Sequence, residues 1–244
     1  MRTFLDCYPC FLRQGLDAAR YAGADEALQE KIIRRSLTLL AEEPASNYPP
    51  EVSGRIQQIV RAETGQADAF HKLKQISTQQ ALALVPWLQE VIHHSSDPLA
   101  TALRLSVAGN IIDFGAAREF DLKAVIQQAL SAEFAIYHLR EFKKDLEQAK
   151  VILFLADNAG ETVFDRLLIE QMGKPVQYAV KSAPILNDAV AEDASSAGLD
   201  KVAHIVETGT GIPGADLKNS TPEFKRLFQS ADLIISKGQG NYEM

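Results

Sequence analysis

From Val151 onward, short apolar, β-branched runs alternate with helical patterns, and this alternation limits the fold more than any other feature of the chain. Val151–Leu155, Pro175–Val180, Val202–Val206 and Leu233–Ile235 read as strands. Thr162–Met172, Asn187–Ala197 and Pro222–Gln229 read as helices. Strands separated by helices at this spacing make βαβ units and a parallel sheet, whose buried strands are continuous apolar runs. Residues 1–148 read instead as helix after helix. Phe11, Leu12, Leu16 and Ala19 recur at helical spacing, as do Leu28, Ile32, Ile33, Leu37 and Leu40. Pro50 suits a helix start, Pro86 interrupts a long run from Ala67 to His94, and Asp97-Pro98 opens the next helix. Two further helices are expected over Leu122–Leu130 and Glu133–Leu146. The expected fold is α/β: a helical part, residues 1–148, packed on a mainly parallel sheet with flanking helices, residues 149–244. A helix or two of the first part should cover the sheet.

Strand ends carry the chemistry of such folds, because ligands bind at the carboxyl edge of an open parallel sheet. Three strand ends here are polar. After Leu155 come Ala156-Asp157-Asn158-Ala159-Gly160-Glu161; after Val180 come Lys181 to Asp188; after Ile235 comes Ser236-Lys237-Gly238-Gln239-Gly240-Asn241-Tyr242. Asp157, Asn158 and Asp188 form an all-oxygen set that favours Mg²⁺ or Mn²⁺ over metals preferring soft ligands. Such an ion polarises a phosphoryl oxygen. Each of the three could instead cap a helix. A cap is the simpler reading for one of them alone; all three at two strand ends read as a site.

Gly160 is expected to turn the backbone tightly into a helix whose free N–H groups favour an anion. Glu161 reads most simply as an acid in the first helical turn, favourable to the helix dipole, with an orienting role as the alternative. Lys237 sits in a glycine-rich turn, where it supplies a point charge for phosphate or is an ordinary turn residue. Lys181 resembles it, though a lysine after a strand is commonly a solvated loop charge. Asn110 and Asp113, three apart in a helix, can share a face, as a buried pair or as substrate contacts. Cys7-x-x-Cys10 admits packing, redox and metal readings, with packing first. No second such pair supports a four-ligand zinc site.

With a net charge of −7, the chain advertises no basic surface for nucleic acid. No apolar stretch is long enough to cross a bilayer, and Met1–Phe11 does not read as a signal peptide. A cytoplasmic setting is the default expectation.

The chain resembles the damage-control phosphatase family, long catalogued as domain of unknown function 89, and in particular its bacterial and archaeal branch. DCYPCFLRQ, GNIIDFG, LADNAGETVFDRLLIE with VKSAPILNDA, and SKGQGNYE carry the likeness in order along almost the whole chain. The resemblance implies a helical part on a Rossmann-like domain and metal-dependent hydrolysis of small phosphate monoesters, such as sugar phosphates or damaged phospho-metabolites. It implies Asp157, Asn158 and Asp188 as metal-holding, catalytic residues, with Mg, Mn, Co or Ni as the divalent ion. It makes Lys237 a phosphate ligand; by their places at the polar strand ends and in the helix that carries Asn110, Gly160, Glu161, Lys181, Asn110 and Asn241 are grouped with it as phosphate- or substrate-binding. Family members continue past the last motif with further strand and helix, whereas this sequence ends at Met244. Two rivals remain at this point: a non-catalytic module that binds a phosphorylated metabolite, and a Rossmann-type methyltransferase. The absence of a glycine-rich methyl-donor loop after Leu155 counts against the latter.

Overall fold

The computed structural model describes residues 1–44, 47–111 and 122–244. Seven helices come first: α1 (Cys7–Tyr21), α2 (Glu26–Glu42), α3 (Pro49–Thr64), α4 (His71–His93), α5 (Pro98–Ile111), α6 (Leu122–Ser131) and α7 (Leu139–Gln148). Their starts follow local chemistry. The Asp25 carboxylate accepts from the N–H of Leu28, and the Asp97 carboxylate accepts from that of Ala100. Prolines occupy the first turn of α3, where a missing N–H costs nothing. Pro86, expected to interrupt, lies inside an uninterrupted α4. α7 begins later than the sequence suggested, at Leu139 rather than Glu133.

The rest alternates as expected: β1 (Ile152–Leu155), α8 (Thr162–Met172), β2 (Val176–Val180), α9 (Ala191–Ser196), β3 (His204–Glu207), α10 (Pro222–Ser230), β4 (Leu233–Ser236) and a short α11 (Gln239–Glu243). The four strands are parallel in the order β3-β2-β1-β4. The order reverses between β1 and β4, and that switch point is where a ligand crevice belongs.

Alternate residues of β1 serve two cores. Ile152 and Phe154 join Phe164, Leu167, Leu88 and Leu105 of α8, α4 and α5, so this core crosses residue 148. Leu153 and Leu155 face Phe224 of α10 on the other side. α5 can lie close on α8 because residue 109 is glycine: a Cβ there would come within 3.1 Å of the Phe164 ring. Smaller cores hold α1, α2 and α3 together.

α9 is shorter than the helix expected over Asn187–Ala197. Backbone bonding takes its first residues elsewhere. Ala189 N–H donates to Asp157 O at 2.8 Å, Ala159 N–H donates to Asn187 O at 2.9 Å, and Lys181 N–H donates to Ala189 O at 3.0 Å. The loop before α9 is thereby laced across the end of β1.

Candidate active site

That lacing opposes Asn158 to Asp188 and brings the two polar strand ends into one place. None of the three proposed metal-holding residues acts as a cap. Asn158 makes no side-chain capping bond to the 3₁₀ turn Ala159–Glu161, and α9 starts after Val190, whose N–H is taken by Asp193. Asp157 accepts instead from the amides of Asn110 and Asn158, each at 2.9 Å.

The electrostatics are those of negative charge short of a counterion. Burial pushes the Asp157 carboxyl up to about 7, and the nearby Asp188 and Glu161 add to the rise. Burial likewise pushes Asp188 up to about 6, opposed by Lys181. Lys181 Nζ lies 3.5 Å from Asp188 Oδ2, an ion-pair distance, yet that oxygen is buried and accepts no hydrogen bond. A buried carboxylate oxygen without a donor is costly, and a cation would satisfy it. Among the described residues no three His, Cys, Asp or Glu side chains form a ready metal cluster. The set that fits a hard cation is two carboxylates plus amide oxygens, whose N–H groups are already committed to the protein.

The two lysines sit in different surroundings. Lys237, read as the phosphate ligand, is 8% exposed, and its ammonium is held by Ser106 O at 3.0 Å, Glu161 Oε2 at 2.9 Å and Asp165 Oδ1 at 3.0 Å. Three donors meet three acceptors. Burial alone would lower its pKa, but Asp165 and Glu161 raise it above the usual lysine range. Its place is under the site, as a counterion. Lys181, grouped with the phosphate-binding residues although a lysine after a strand is commonly solvated, is not solvated: it is 2% exposed, and among the described residues its ammonium has only the ion pair with Asp188. Replacing Lys237 with Met should therefore cost stability, about 3–5 kcal/mol, because Glu161 and Asp165 would be left buried and uncompensated. Urea denaturation of the variant measures it; an unchanged midpoint would refute the counterion role.

Glu161, 2% exposed, accepts from Asn110 at 2.8 Å, Asn158 at 2.6 Å and Lys237 at 2.9 Å. Its carboxylate is spent on side chains and makes no capping bond to α8. Behind it, Asp165 holds Ser106 at 2.7 Å and the buried hydroxyl of Tyr178 at 2.8 Å. Gly160 does not have the positive φ that a tight glycine turn would need; it is buried in the 3₁₀ turn, against which α4 packs. Asn241, read as a substrate contact, donates to Ala156 O at 3.1 Å and Lys237 O at 2.7 Å, tying α11 to the ends of β1 and β4. Asp113 lies outside the described residues.

The sequence placed Gly238 only in a glycine-rich turn and did not point to its contact with Asp157. Its φ is +84°, and an added Cβ would lie 2.1 Å from Asp157 Oδ2. Backbone and carboxylate touch there, so glycine is required on both counts.

Above these groups opens a cleft of about 400 Å³ between the strand ends and the α1–α3 layer. Asp157, Asn158 and Asp188 line it, with Phe11, Pro50 and Pro213 opposite. Cys7 and Cys10, both free thiols, line it too. Leu186 also faces it and has a positive φ of 47°, a strained conformation for a branched residue. Its side chain is anchored in the small helical core, and Arg61 binds the nearby Pro184 carbonyl.

A family model for the damage-control phosphatase ARMT1-like domain matches residues 3–244. This chain belongs to that family. It is 32% identical to damage-control phosphatase PH1575 of Pyrococcus horikoshii, across 100% of this chain and 86% of that protein. It is 31% identical to a damage-control phosphatase of Archaeoglobus fulgidus, across 97% and 85%, and 33% identical to the uncharacterized protein MJ0202 of Methanocaldococcus jannaschii, across 98% and 81%. The crystal structure of the P. horikoshii DUF89 protein superposes with a TM-score of 0.90 at 30% identity, covering 100% of this chain and 86% of that one. Family membership supports phosphatase chemistry over the methyltransferase reading. No helix among the described residues is long and apolar enough to cross a membrane.

Proposed function

We propose that this protein is a divalent-metal-dependent phosphomonoesterase acting on a small phosphorylated metabolite. One observation carries the reading: half-buried Asp157 and buried Asp188 line one cleft with raised pKa values, and an oxygen of Asp188 has no donor. Asp157, Asn158 and Asp188 would hold Mg²⁺, Mn²⁺, Co²⁺ or Ni²⁺. The bound ion supplies Lewis-acid polarisation of the phosphoryl group. Lys181, beside Asp188 with donors to spare, neutralises the phosphate from the other side. Asp157 is the candidate nucleophile if a covalent intermediate forms.

The test is phosphate release over a panel of phosphate monoesters, with each metal added back to metal-free protein. Turnover restored only by metal supports the reading, and full turnover after exhaustive chelation refutes it. Tight ester binding without release would favour the binding-module alternative.

Replacing Lys181 with Met should weaken orthophosphate binding to the metal-loaded protein by about 10-fold or more, one charge-assisted contact being lost. Mn²⁺ affinity should hold or rise, because a like charge has left. Titration calorimetry with each ligand reads both, and undiminished phosphate binding would exclude Lys181 from the site.

A further inference from the structure

Resting on the cation-site reading above, we propose that Glu161 is a positioning residue: its carboxylate fixes the amides of Asn158 and Asn110 in the orientation that keeps their oxygens available to a cation. Both amides spend their N–H groups on the same two acceptors. Asn158 Nδ2 lies 2.9 Å from Asp157 Oδ2 and 2.6 Å from Glu161 Oε1. Asn110 Nδ2 lies 2.9 Å and 2.8 Å from the same pair. A carboxamide carries oxygen and nitrogen on opposite arms of one plane. Turning either amide over would set its oxygen against two carboxylate oxygens, so the acids select one rotamer. Among the described residues no donor meets the Asn158 oxygen, and Asn158 lines the cleft.

Glu161 suits this work better than Asp157 because it is not itself in the proposed ligand set. Its second oxygen is held by Lys237, which is in turn held by Asp165 and the Ser106 carbonyl. Asp165 is anchored by Ser106 and Tyr178. A fixed chain thus runs from the buried interior to the cleft floor, and each member has its partners inside the protein. Outer groups that orient metal ligands are worth about 10- to 100-fold in metal affinity.

Glu161→Gln is the informative variant. The Lys237 ammonium claims the new amide's oxygen, so its NH₂ faces Asn158 and favours the inverted rotamer. Mn²⁺ affinity, measured by calorimetry, should fall about 10- to 100-fold. Asn158→Asp supplies the control, since aspartate has two equivalent oxygens and no N–H to steer. In that background, Glu161→Gln should cost only the affinity that goes with losing one nearby negative charge, a clearly smaller drop than with Asn158 in place. An equal loss in both backgrounds would mean that Glu161 acts only through its charge, and the proposal would fall. Glu161→Asp keeps the charge but ends one methylene short of the amides, so it too should lose affinity; full retention would also overturn the proposal. Melts without metal establish that each variant is folded. A readout independent of metal is exchange of the Asn158 side-chain amide protons by ¹⁵N NMR: slow in the parent, fast in Glu161→Gln. Unchanged exchange would refute the positioning role in any variant background. A parent protein that binds no Mn²⁺ would sink the cation-site reading itself, whereas binding without the predicted dependence on residue 158 would sink only this proposal.

Discussion

Asp157→Asn is expected to reduce metal-supported turnover on the order of 10³-fold, as loss of a group acting directly on transition-state charge does, while making the metal-free protein more stable at pH 8. The stability gain follows from linkage. An aspartate in the unfolded chain titrates near ~3.9, and Asp157 in the folded protein is raised to about 7 by burial, Asp188 and Glu161. The folded state therefore binds the proton more tightly than the unfolded state does. For this group, stability is complete below the unfolded value, declines as pH rises towards about 7, and is lowest above it. Asparagine carries no such charge and keeps an oxygen for the Asn110 and Asn158 amides. The advantage of the variant should thus be small near pH 4 and largest above pH 7, of order a few kcal/mol. In a protein of 244 residues that is roughly 2–4 °C of melting temperature per kcal/mol. Added Mn²⁺ should reverse the ranking, because binding stabilises only the folded parent. Melts of both proteins from pH 4 to 8, with and without Mn²⁺, measure every part of this. A variant that keeps the parent's Mn²⁺-induced shift would remove Asp157 from the site.

Gly238→Ala should be nearly as damaging, although alanine adds a single methyl group. That methyl would sit 2.1 Å from both Cγ and Oδ2 of Asp157, far inside contact distance. The backbone φ of +84° adds a further strain of roughly 1–2 kcal/mol for any residue with a Cβ. The carboxylate must therefore shift by an ångström or more, and a displacement of ~1 Å costs about 10²-fold in rate. Turnover at saturating Mn²⁺ should fall by about that factor in protein that still folds, with Mn²⁺ binding weakened in parallel. A rate within about 3-fold of the parent would show that the position of Asp157 does not govern the chemistry.

Features set by local pattern were legible in the sequence. β1 is a continuous apolar run because both its faces are covered, and the polar successors of β1, β2 and β4 mark the carboxyl edge of the sheet. That logic also brought Asp157, Asn158 and Asp188 forward together. What stayed hidden depends on partners far away in the chain. Lys181 and Lys237 each follow a strand, and nothing local distinguishes them. The difference lies in Asp165 and Ser106, 72 and 131 residues from Lys237, which packing delivers to one ammonium and not the other. A signal for this was present. Glu161 and Asp165 stand four apart at the start of a helix whose neighbours Val163, Phe164 and Leu167 are all apolar. Two acids on a face that must be buried demand a buried cation, and Lys237 is a lysine that a neighbouring strand end can supply. The length of α9 misread for a related reason: the loop bonding to β1 outweighed the helical pattern of Asn187–Val190. The glycine contact at Asp157 had no local signature, because it joins the ends of two strands that meet only through the switch in strand order.

The most direct test of the central claim is anomalous scattering from crystals grown with Mn²⁺, measured on the parent and on Asp157→Asn. One strong peak is expected at bonding distance from side-chain oxygens of Asp157, Asn158 and Asp188, absent in the variant. A peak elsewhere, or no peak in crystals of protein that remains fully active, would contradict that claim.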